Sequence, residues 1–228
     1  MNLLHRWYCG SSGWAALVEG ALLPRALEGA ALGAELLELG PGPGTTTEVL
    51  RRRVTRVTAV LDAALAARLA RRLRGSGVRV VRGDGAALPF RDRCFDAAAV
   101  FTMLHHVPSQ ALQDRLLAEV CRCLRPGGLL VGSDTLPSLR FRLYHLADTM
   151  VAVDPDRLPA RLEAAGFDGP LVDTRAGGSA SAPAARTVRR RGRPSGWWGR
   201  RAGRRPCPRW RSSRSPRHSR GRPSPAPS

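Results

Sequence analysis

The sequence predicts an α/β fold built on a doubly wound, mostly parallel sheet, and three observations predict it. Apolar runs of strand length alternate with segments of helical period along residues 35–134. The first run ends in a glycine-studded turn, LLELGPGPG over 36–44, as a strand does when it leads through a tight loop into a helix. Two later segments, GDGAALPFRDRCFD over 83–96 and EVCRCLRPGGLLVGSD over 119–134, put acids and turns near further strand ends. Ligands of such sheets bind at the carboxyl ends of the strands.

Residues 14–32 show helical spacing interrupted by Pro24, which predicts one or two helices ahead of the sheet. The first strand is expected over 35–39 and the helix after the glycine turn from Thr45, where Thr46 and Thr47 suit a helix start. Strand 54–61, helix 63–74, strand 78–82, strand 96–101, helix 109–124 and strand 128–134 follow by the same patterning. Arg125-Pro126-Gly127-Gly128 reads as a helix stop and tight turn. Beyond it, 139–151 and 158–165 read as helices, Gly166 as a stop, and 171–174 as the start of a strand.

The chain has 228 residues and a formal charge of +19, but its average hides two unlike parts. Every basic residue other than histidine is arginine. Residues 1–174 hold 21 arginines and all 18 acids, whereas 175–228 hold 16 arginines and no acid. The first part is long enough to bury one core. The second, rich in Arg, Pro, Ser, Gly and Ala, reads as a disordered tail. A nucleic-acid-binding arm is one reading of it, since arginines interleaved with Trp197, Trp198 and Trp210 suit phosphates and bases. Another is frameshifted translation: one GC-rich spelling of residues 178–186, read two bases on, gives FRFRARRP, an alternating pattern suited to a last strand. Five cysteines without a C-x-x-C pair indicate neither a disulfide framework nor a zinc site, and no other metal site is expected. Charges at Glu19, Arg25 and Glu28 break the N-terminal apolar stretch, so no membrane span and a cytoplasmic location are expected.

The glycine turn alone would suit a dinucleotide, yet only Pro43 separates Gly42 from Gly44, against two residues in the dinucleotide pattern. With the two later segments, notably the LPF and FD of 88–96 and the RPGG of 125–128, the chain resembles a class I S-adenosylmethionine-dependent methyltransferase. The likeness covers about residues 34–174 and is nearest to the small-molecule group that includes quinone-biosynthesis enzymes. It implies a Rossmann-like sheet of seven strands with the last antiparallel, here expected to be incomplete. Residues 1–33 would be helices capping the cofactor pocket, within a methyltransferase domain of 1–174.

The resemblance implies S-adenosylmethionine as cofactor. Gly40, Gly42 and Gly44 let the backbone approach it, and Glu38 accepts from its ammonium group. Asp62 is the expected ribose acid, with the alternative that the alignment puts Val60 there. Asp84 would accept from the adenine amino group, and Gly85 would let its backbone face the ring. His105 and His106 follow the fourth strand, and either is a candidate general base, since imidazole titrates near neutrality. Tyr8 and Trp7 are candidates to close over the cofactor. His5 and His145 read as structural or exposed, and Arg140, Arg142 and Tyr144 as hints of a polar acceptor.

The expected reaction is methyl transfer to a nucleophilic O, N or C of a small metabolite. An RNA adenine methyltransferase is a rival, but such enzymes carry Asn-x-Pro-aromatic where this chain reads Phe101-Thr102-Met103-Leu104. The rival from another class is an arginine-rich nucleic-acid-binding protein with a degenerate methyltransferase domain.

Overall fold

A computed structural model describes residues 7–136 and 148–174, together with the backbone of 184–190. Expectations for His5, Arg140, Arg142, Tyr144, His145 and the tail tryptophans lie outside those residues. So does most of the helix expected over 139–151, whose last residues, 148–151, are not helical.

The strands are β1 (Glu35–Leu39), β2 (Arg56–Leu61), β3 (Arg79–Arg82), β4 (Phe95–Phe101), β5 (Leu124–Ser133), β6 (Phe167–Asp168), β7 (Leu171–Asp173) and β8 (Ala184–Arg190). They form one sheet in the order β3-β2-β1-β4-β5-β8-β6, with β7 also paired to β8. The first five run parallel, and the order reverses at β1. That reversal opens the crevice in which doubly wound sheets bind ligands.

The helices are α1 (Ser12–Leu17), α2 (Leu23–Ala26), α3 (Thr45–Leu50), α4 (Ala63–Arg72), α5 (Gln110–Cys123) and α6 (Leu158–Ala165). A single π-helical turn, Val18–Leu22, joins α1 to α2, and Pro24, which has no N–H to donate, sits in the first turn of α2. Side chains alternate along each strand, so the sheet buries both faces. Leu37, Leu39, Ala98, Val100 and Leu130 meet α5 and α6 on one face. Leu36, Ala97, Ala99 and Val131 meet α2 on the other. Asp96 pins the near end: its carboxylate accepts from Ala34 N (3.0 Å) and Glu35 N (2.9 Å) and pairs with Arg125.

Two departures from the sequence reading have physical causes. The turn expected at 125–128 lies inside β5, because Leu124 pairs with Phe95 and Leu129 with Ala97; the intervening residues bulge out, with Gly127 at φ +75°. The last strand, expected to be incomplete, is supplied by β8 from within the segment read as tail. It pairs antiparallel with β5, Leu130 opposite Val188. Arginine-rich composition hid it, since pairing between β5 and β7 is satisfied by backbone groups whatever the side chains.

Candidate active site

The three acids singled out in the sequence stand at or just beyond the carboxyl ends of three adjacent strands. Glu38 is the next-to-last residue of β1 and 1 % exposed. The Thr46 hydroxyl, in the first turn of α3, donates to its Oε1, while Oε2 is buried without a hydrogen-bond partner among the described residues. The Thr47 hydroxyl, also buried, sits close enough to pull the carboxyl's pKa down but makes no aligned bond. Burial outweighs both threonines and pushes the Glu38 carboxyl up to about 7. A buried carboxylate oxygen left unpaired is costly, and a cationic donor is the group that would satisfy it.

Gly40, Gly42 and Gly44 all adopt positive φ, of +61°, +54° and +91°. A Cβ on Gly40 would meet Met103 at 2.9 Å and one on Gly44 would meet Leu69 at 2.4 Å, whereas one on Gly42 would enter open space. The turn is thus closed underneath and open at Gly42, the side a ligand can approach. Arg72 of α4 holds it from outside by donating to the Pro43 carbonyl at 2.5 Å.

Asp62 directly follows β2 and caps α4, its Oδ1 accepting from Ala64 N (2.9 Å) and Leu65 N (3.1 Å). It is exposed, whereas Val60 is buried inside the strand, so Asp62 is the acid this position offers. Asp84, likewise exposed, follows β3 and folds its own turn by accepting from Ala86 N at 2.9 Å. Gly85 has a packing reason as well: a Cβ there would come 2.7 Å from Leu116 of α5.

The two histidines, interchangeable in the sequence, are not alike here. His105 is 2 % exposed, and its Nδ1 lies 2.5 Å from Asp134 Oδ1, just past β5. His106 is half-buried, its ring centroid 4.2 Å from that of His105. Behind this turn a cavity of about 60 Å³ is lined mainly by Val100, Leu104, Leu117, Leu130, Val153 and Leu162. Trp7 stands 72 % exposed, and Tyr8 packs on Trp14 with ring centroids 5.6 Å apart.

Sequence reasoning missed Thr46, Met103, Gln113 and Asp134. Thr46 was readable only as a helix starter. Asp134 closes a segment noted for its glycines, and its partner lies 29 residues away.

The methyltransferase domain family matches residues 37–132. The chain is 39 % identical over 100 residues to a demethylmenaquinone methyltransferase of Thermobifida fusca (strain YX), covering 42 % of this chain and 41 % of that protein. It is 45 % identical over 62 residues to the phthiotriol/phenolphthiotriol dimycocerosates methyltransferase 1 of Mycobacterium ulcerans (strain Agy99), over 27 % of this chain and 22 % of the relative. The chain therefore spans less than half the length of these curated relatives. Among solved structures, a SAM-dependent methyltransferase from Methanosarcina mazei superposes with a TM-score of 0.57 at 20 % identity, over 75 % of this chain and 97 % of that one, a likeness of fold.

Proposed function

The chain carries a class I methyltransferase domain, and from that premise we propose that it transfers a methyl group from S-adenosylmethionine to an oxygen, nitrogen or carbon nucleophile of a small molecule. The observation that carries the reading is the row of acids at β1, β2 and β3, with the unpaired Glu38 oxygen at its β1 end. Each acid fits one part of that cofactor: Glu38 the ammonium, Asp62 the vicinal ribose hydroxyls, Asp84 the adenine amino group. The bound cofactor supplies an electrophilic methyl on a sulfonium, displaced in line.

This chain's own part is to bind, align and exclude water. The open side of Gly42 admits the ligand backbone to backbone, and Met103, packed over Gly40, fixes the cofactor turn against the loop after β4. That loop carries the histidines to the acceptor side. His106, the less buried, would take a proton from the acceptor nucleophile, while alignment supplies much of the acceleration. The curated relatives named for demethylmenaquinone make a demethylmenaquinol a sensible first acceptor to try.

The testing experiment is calorimetric titration of S-adenosylmethionine into the protein and into Asp84→Ala. Micromolar binding that weakens at least tenfold in the variant supports the pocket. A folded parent that binds none overturns the reading.

A further inference from the structure

We propose that Asp134 is a positioning residue for methyl transfer, gripping His105 so that the loop 103–106 holds cofactor and acceptor in fixed relation. The inference rests on the methyltransferase reading above and adds a residue to it.

Asp134 grips one residue at two points. Its Oδ2 accepts from the His105 backbone N at 3.1 Å, and its Oδ1 lies 2.5 Å from His105 Nδ1. A carboxylate accepting at Nδ1 places the ring proton there and makes Nε2 the basic nitrogen, so both main chain and tautomer are set by one side chain. Oδ1 also accepts from Thr135 N at 2.7 Å, which anchors the carboxylate to its own strand end. Asp134 therefore ties the loop after β4 to the end of β5.

The rest of the loop is bound from other elements. Fully buried Gln113 of α5 donates from Nε2 to the carbonyls of Leu104 (3.1 Å) and Val151 (2.9 Å), and its Oε1 accepts from Arg161 of α6 at 2.8 Å. Val151 N donates to the His105 carbonyl at 2.8 Å. At the other end Met103 lies over Gly40 of the cofactor turn. Thr102, which precedes it, sits at φ +47° and donates its N–H to the Ser133 carbonyl at 2.7 Å. A β-branched residue in the left-handed region marks local strain held by its surroundings. The loop is thus one braced piece from the cofactor turn onward, and the His105 ring packed on His106 passes the bracing to the candidate base.

The test uses the full chain and the variants Asp134→Asn and Asp134→Glu. Nitrogen-15 imidazole shifts should show His105 protonated at Nδ1 in the parent, a mixed or Nε2-protonated ring in Asp134→Asn, and the parent tautomer restored in Asp134→Glu. S-adenosylmethionine affinity should stay within twofold throughout. With demethylmenaquinol as probe acceptor, kcat should fall ten- to a hundred-fold in Asp134→Asn while KM moves less than threefold, and Asp134→Glu should recover at least a third of the parent kcat. A parent His105 protonated at Nε2, or an Asp134→Asn variant with parent tautomer, overturns the proposal. Turnover unchanged in Asp134→Asn overturns it too. The imidazole measurement needs no acceptor, so a parent that fails to methylate the probe speaks against that acceptor and leaves the Asp134 result standing on its own.

Discussion

Thr46 reaches back across the first strand–helix turn and donates its hydroxyl to Glu38, tying the start of α3 to the end of β1 inside a closed core. The bond satisfies one carboxylate oxygen and leaves the other bare, so the free protein bears a burden that a ligand would lift. With a folded-state pKa near 7 against 4.5 ordinarily, Glu38 favours the fold fully below pH 4.5 and loses that contribution as pH rises through 7. Glu38→Gln should therefore stabilise the free protein at pH 8 by on the order of 3 kcal/mol, a gain that vanishes below pH 4.5. Thermal melts at the two pH values check it, and the same variant should bind S-adenosylmethionine at least tenfold more weakly.

The pH dependence of binding follows with the opposite sense. Only ionised Glu38 pairs with an ammonium, so affinity for S-adenosylmethionine should fall about tenfold per unit as pH drops well below 7. Calorimetry in two buffers of different ionisation enthalpy should register close to one proton released per cofactor at pH 6.

Asp62 serves two ends, and two substitutions separate them. Asp62→Ala removes the cap of α4 and should cost about 1 kcal/mol of stability along with cofactor affinity. Asp62→Asn keeps a capping oxygen, so its melting temperature should match the parent while its affinity falls. Equal melting losses in both would show that the cap is not the source.

Asp96 holds Ala34, Glu35 and Arg125 from one carboxylate, and burial raises its pKa less than these bonds lower it. Asp96→Ala should destabilise by about 2 kcal/mol, read by denaturant unfolding. Cofactor affinity, which the proposed site sets at the opposite strand ends, should change less than threefold.

Much of the sheet was legible because β1, β2, β4 and the end of β5 carry apolar runs set off by turns, and Leu36 and Leu37 or Ala97 to Val100 have few other ways to be buried. The places of the three candidate acids were legible for a related reason: each stands beside a strand end that the pattern locates. What stayed hidden depends on partners distant in the chain. Gln113 looks like any polar helix residue until Arg161, 48 positions on, is found at its side. Likewise nothing local distinguishes His105 from His106, because the carboxylate that holds the first, Asp134, lies 29 residues away. And β8 could not be read from side-chain alternation when its place is set by the edges of β5 and β7.

The insertion of β8 between β5 and the β6–β7 pair also has a consequence for the order of assembly. During synthesis, the first five strands and their helices emerge with β5 as an open margin, and its proper neighbour is the last of the eight to leave the ribosome. Until then its backbone groups stand ready to join any extended segment, another nascent copy included. Stopping translation after β5 but before residue 184 should thus release a chain that binds itself.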